Sequence, residues 1–114
     1  PVGIDSEVLI EPADLAALIA ASCTVAETRM LDALDTARRA PAFLATWTRK
    51  EAALKAWGSG LGMIDPAHLE VGLDGPGDVS ARGHEPLTVM TVTVGHGVLS
   101  VAAPRRPGFR LSLD

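Results

Sequence analysis

"WTRKEAALKAWGSGLG", residues 47–62, holds both tryptophans and both lysines of a 114-residue chain. Its apolar residues recur at helical spacing, and Gly58 is placed to end a helix. On such a helix Trp47, Glu51 and Lys55 lie four apart and share one face, which Phe43 extends by a turn. Leu44, Ala52 and Leu54 supply apolar positions elsewhere, and Lys50 lies just beside the row. Pro41 punctuates the chain and suits the first residue of this helix, so the expected span is Ala42–Trp57. The row has two readings. One is a surface Glu–Lys pair of a few tenths of a kcal/mol with tryptophan in the core. The other is a helix face built to hold a charged ligand.

The segments on either side set the fold class. Val2–Val8 reads as a short strand, with Gly3, Asp5 and Glu7 on one face. Pro12 suits the first turn of a helix through about Ala21, with Asp14 near its positive end. Thr24 and Glu27 have the spacing of a capping box for a second helix, along which Val25, Met30, Leu31 and Leu34 give an imperfect stripe. After Gly62 the composition changes. Pro, Gly and Asp alternate with β-prone runs at His68–Leu73, Leu87–Val94, Val98–Ala103 and Phe109–Leu113, and "VGHGV" (Val94–Val98) looks like a tight antiparallel connection. One early strand, then helices, then strands is an α+β pattern. The expectation is a single domain over residues 1–114, an antiparallel sheet packed against the long helix.

Composition removes several classes. With 47% apolar residues the chain is neither disordered nor built to span a bilayer, and its longest apolar stretch, around Leu15–Ala21, is too short to do so. A net charge of −4 gives no electrostatic case for nucleic-acid binding, and the doublets Arg38-Arg39 and Arg105-Arg106 read as solvated surface. Cys23 is alone, which excludes an internal disulfide and a multi-cysteine metal site and fits a reducing cytoplasm. His68, His84 and His96 lack metal-ligand spacing. Gly58, Gly60 and Gly62 follow a helix, so they form neither a Walker loop nor a dinucleotide fingerprint.

The carboxylates are more informative. Strand alternation puts Asp5 and Glu7 on the same side, where they repel unless a cation or basic group lies between them. Their hard oxygen donors suit Mg²⁺, which keeps several waters and shares its sites with phosphates. Glu51 could complete the protein's share of the ligands from a facing helix, and Lys55, one turn on, could hold a phosphate oxygen.

Together, Gly3-Ile4-Asp5-Ser6-Glu7 and Trp47-Thr48-Arg49-Lys50-Glu51-Ala52, followed by Lys55, Gly58, Gly60 and Leu61, resemble two elements of the 4′-phosphopantetheinyl transferase superfamily. The match is to the catalytic C-terminal half of its surfactin-synthetase-activating (Sfp-type) branch. The resemblance implies transfer of the phosphopantetheine arm of coenzyme A to a serine of an apo acyl or peptidyl carrier protein. By the same match, Asp5, Glu7 and Glu51 would bind Mg²⁺, Lys50 and Lys55 would offset diphosphate charge, and Lys55 could help the leaving group. Glu51 or a metal-bound water would take the serine proton. Trp47 would support the helix face or line the pocket, and the pantetheine arm would pass close to Gly60. Glu27 aligns with an acidic position of the family, which a capping role explains equally well.

Members of that branch usually have two similar halves, and the N-terminal half holds the adenine and 3′-phosphate end of coenzyme A. Nothing in this sequence matches that half. The chain is therefore expected to work by self-association or with a separate N-terminal half. The alternative to an enzyme is a non-catalytic domain that binds a carrier protein or assembles with such a half.

Overall fold

Asp35, not Pro41, starts the long helix. In the computed structural model, which describes residues 2–58, 64–73 and 75–105, Asp35 caps helix α3 (Thr36–Trp57) by accepting a hydrogen bond from the Arg38 N–H at 3.0 Å. Pro41 lies inside α3. Its missing N–H deprives only the carbonyl one turn earlier, at Ala37, and both residues are exposed to water that can take over. The sequence-predicted start at Ala42 is thus corrected by one and a half turns. The expected end is observed. Gly58 caps α3 at φ +62°, a left-handed conformation that favours glycine.

The remaining order is β1 (Gly3–Val8), α1 (Leu15–Ser22) and α2 (Val25–Asp32) before α3, then a 3₁₀ turn at Pro66–His68, β2 (Gly77–Val79), β3 (Leu87–Val94) and β4 (Gly97–Pro104). Asp14 is the N-cap of α1, and the Thr24–Glu27 capping box opens α2 in both directions. The four strands form one antiparallel sheet in the order β1-β4-β3-β2. The β3–β4 connection is tight, with Gly95 at φ +59° between Val94 and its partner Gly97.

His68–Leu73 is not a strand, although Leu69 and Val71 are both buried. Asp65 and Pro66 start the 3₁₀ turn, and Asp65 Oδ1 accepts from the Ala67 N–H. Beyond it, side chains rather than a neighbouring strand satisfy the backbone. Glu27 accepts from Val71 N–H, Arg49 donates to the Val71 carbonyl, and Lys50 donates to the Leu69 carbonyl. β2 escaped the sequence reading because three residues are too short to show a period of two. Gly60 and the expected strand at Phe109–Leu113 lie outside the described residues.

One face of the sheet is laid against α3. Register puts Gly3 with Ala102 and Val89, Asp5 with Ser100 and Thr91, and Glu7 with Val98 and Thr93 on that face. Gly3 is required there, since a Cβ would come within 1.8 Å of the Ala52 carbonyl oxygen and 2.5 Å of Ala56 N. The core has two parts. One gathers Ala52, Ala53, Ala56, Leu69, Val71, Val79, Leu87, Val89 and Ala102; the other gathers Ile19, Cys23, Leu31, Phe43, Leu44 and Val98. Each fully buried leucine or valine contributes about 1.5–3 kcal/mol. Thr48, Arg49 and Lys50, at the middle of α3, lie between these stretches of helix and are all buried. Among the described residues, no helix is long and apolar enough to cross a membrane.

Candidate functional site

Because Gly3 lets β1 rest on α3, the carboxylate two residues later meets the C-terminal part of the helix. Asp5 Oδ1 lies 2.7 Å from Lys55 Nζ, which also donates to the Ile4 carbonyl at 3.3 Å. Asp5 is nearly buried, at 13% side-chain exposure, whereas Lys55 is half-exposed at 54%. Hydrogen bonding to Asp5, then its charge, holds the Lys55 ammonium above the ordinary lysine range. Glu51 is partly buried on the same helix, one turn before Lys55. Loss of water, followed by the charge of Asp5, pushes its carboxyl up; Lys55 opposes the shift, and Glu7 adds to it. Asp5, Glu7, Glu51 and Lys55 therefore act within one electrostatic field.

The carboxylates offer hard oxygen donors, one of them unpartnered. Asp5 Oδ2 is the only buried side-chain nitrogen or oxygen among the described residues with no hydrogen-bond partner. Such an oxygen is one that a cation or a hydrogen-bond donor can satisfy. The three carboxylates do not form a ready-made cage: among the described residues, no three His, Cys, Asp or Glu side chains are gathered to hold a metal.

Lys50 is a correction. The resemblance places it beside a diphosphate, but its ammonium lies inside the protein, 2.7 Å from Glu27 Oε1 and donating to the Pro66 and Leu69 carbonyls. Glu27 and Lys50 are both fully buried, and the three ammonium protons have three acceptors. Neighbouring helix positions point about 100° apart, so residue 50 faces inward while Glu51 turns toward β1. Arg49 is also fully buried: it donates to Thr91 Oγ1 at 2.7 Å, to the Val71 carbonyl at 2.9 Å and to the Gly75 carbonyl. Thr91 shares Ser100 Oγ with Thr48, so a hydrogen-bonded chain crosses the sheet in the row of Asp5. Sequence reasoning missed the burial of Arg49, since a charged residue beside a solvated helix face reads as surface. Glu27 carried a signal, the capping box, that explained only half of its contacts.

Trp47 is partly buried against the second core part and lines an apolar groove of about 470 Å³. Leu18 and Ala21 of α1, Phe43 and Leu44 of α3, and Pro66 complete most of its wall, and Glu7 also lines it. A charged cluster thus adjoins an apolar channel. Sequence reasoning missed the α1 wall because α1 carries apolar residues nearly all round, so no face of it stood out.

The family model of the 4′-phosphopantetheinyl transferase superfamily matches residues 1–102. No curated protein matches the sequence. Among solved structures, the fold is similar to the crystal structure of Thermotoga maritima holo-[acyl-carrier-protein] synthase, with a TM-score of 0.60 and 18% sequence identity. The alignment covers 89% of this chain and 60% of that one, and at this identity the likeness is one of fold. With the match extending over nearly the whole sequence, including both β1 and α3, the chain belongs to the 4′-phosphopantetheinyl transferase superfamily.

Proposed function

We propose that this chain forms the catalytic part of a Mg²⁺-dependent enzyme that moves the 4′-phosphopantetheine arm of coenzyme A onto a serine of an apo carrier protein. The single observation that supports this most is the unpartnered Asp5 Oδ2, set beside Lys55 and in the field of Glu7 and Glu51. In the transfer, the serine oxygen attacks the phosphorus that bears the pantetheine arm. A new P–O bond forms, the diphosphate P–O bond breaks, and adenosine 3′,5′-bisphosphate leaves. Glu51, partly buried one turn before Lys55, takes the hydroxyl proton. Lys55, half-exposed beside Asp5, offsets the charge that grows on the departing phosphate. Asp5, Glu7 and Glu51 would hold Mg²⁺, which supplies charge neutralisation and polarises the phosphoryl oxygens. The groove beside Glu7 and Trp47 receives the arm and excludes water from it.

Surfactin-synthetase-activating character is part of the proposal. It is supported by Glu7 paired with Asp5 on β1 and by Trp47 ahead of the Arg49-Lys50-Glu51 triplet. So is completion of the site by a second copy or an N-terminal half, since Lys55 is the one cation ion-paired to these carboxylates among the described residues. A cytoplasmic location goes with coenzyme A and carrier proteins as substrates. The test is incubation of an apo carrier protein with coenzyme A, with and without Mg²⁺, followed by intact mass. A carrier mass raised by one phosphopantetheine only with Mg²⁺ supports the proposal. No modification, with a second copy or the N-terminal half supplied, leaves the domain as a non-catalytic carrier-binding module.

A further inference from the structure

The two oxygens of Asp5 are treated differently. Oδ1 is held by Lys55, and Oδ2 is buried and unpartnered. Lys55 has few other ties: among the described residues, its ammonium otherwise donates only to the Ile4 carbonyl, at 3.3 Å, and half of the side chain is in water. A long unbranched side chain anchored at its tip can swing away at small cost. Its positive charge meanwhile stands on the carboxylate that a cation needs most, so it opposes any cation approaching Oδ2. A diphosphate entering the site offers the ammonium an alternative anion.

We propose that Lys55 and a divalent cation compete for Asp5, so that Lys55 keeps cation affinity low until a diphosphate draws its ammonium away. The inference rests on the transferase reading above and adds an order to it: cation and diphosphate bind cooperatively because one cation of the protein serves first Asp5 and then the substrate. Such coupling is reciprocal, so the cation must strengthen diphosphate binding by the same factor.

The experiment measures Mn²⁺ binding to the full chain by electron paramagnetic resonance, without substrate, for the wild type, Lys55→Met, Asp5→Asn and the remote control Arg38→Gln. The expected result is a several-fold lower dissociation constant in Lys55→Met, no change in Arg38→Gln and loss of binding in Asp5→Asn. Unchanged or weaker binding in Lys55→Met, with the wild type still binding through Asp5, overturns the competition and leaves the transferase reading standing. Binding in none of the proteins, or equal binding in Asp5→Asn, overturns the carboxylate cation site and this inference with it. A second readout needs no variant. The chain has two lysines, so side-chain ammonium nuclear magnetic resonance can follow both. With Mg²⁺ and pyrophosphate added, the Lys55 signal should shift while that of buried Lys50 stays; a Lys55 signal that does not respond overturns the competition.

Discussion

Lys50 and Lys55 sit on one helix, and each lies 2.7 Å from a carboxylate, yet they do different work. The Lys50–Glu27 pair has no exposure on either side and every ammonium proton engaged, so it serves structure. It ties α2 and α3 to Pro66 and Leu69, and Glu27 reaches Val71. The Lys55–Asp5 pair is open to water on one side and leaves a carboxylate oxygen unused on the other. Contact distance alone does not distinguish structural from functional pairs. Burial and completeness of hydrogen bonding do.

The comparison is broken most severely at Lys50. Lys50→Met leaves the Glu27 carboxylate buried without its counter-charge, and breaking such a pair costs about 3–5 kcal/mol. Urea unfolding should show that loss. Adding Glu27→Leu should recover only part of it, because Glu27 also accepts from the Thr24 and Val71 N–H groups. A Lys50→Met midpoint equal to that of the wild type would place this lysine outside the structural role. Gly3→Ala should come next, at about 1–3 kcal/mol or more, because its Cβ meets backbone rather than a flexible side chain. It should also disturb the Asp5–Lys55 contact by lifting β1 from α3, visible as altered amide shifts in both elements.

A smaller effect is expected at Glu51, and its sign is the informative part. The folded carboxyl is raised above the ordinary value of 4.5, so in the window just above that value the native state holds more protons than the unfolded chain. Stability therefore falls as pH rises through this window. Glu51→Gln removes that cost, so it should unfold later than the wild type at neutral pH, and the difference should close below pH 4.5. Smallest of all, Lys55→Met should lower the unfolding midpoint only slightly, because the Lys55 side chain, unlike Asp5, is half in water. A large destabilisation there would erase the distinction between the two lysines.

The fold was legible where one residue decides a local geometry. Gly58 ends α3, Thr24 and Glu27 box the start of α2, and alternation puts Gly3, Asp5 and Glu7 on one face. It was illegible where tertiary contacts replace local ones. The 69–71 segment buries like a strand, but Glu27, Arg49 and Lys50 take its backbone groups, and no pattern within the segment reports that. Pro41 misled because its position in a helix already capped by Asp35 makes it cheap. At the site, helical spacing put Glu51 and Lys55 one turn apart, and Lys55 meets Asp5 of β1. The same spacing could not show that Lys50, one position away, is turned into the interior.

Glu51→Gln in the carrier-protein assay tests the central claim most directly, because the substitution keeps size and removes the charge on which both the proton-accepting and cation-holding roles depend. The account predicts that the variant folds with a midpoint at or above that of the wild type. In the presence of Mg²⁺ and coenzyme A, with the site completed by a second copy or an N-terminal half, it should modify the carrier serine roughly 10²–10⁴-fold more slowly. Modification at the wild-type rate by a well-folded Glu51→Gln chain would contradict the account and return the Trp47–Glu51–Lys55 row to an ordinary helix surface.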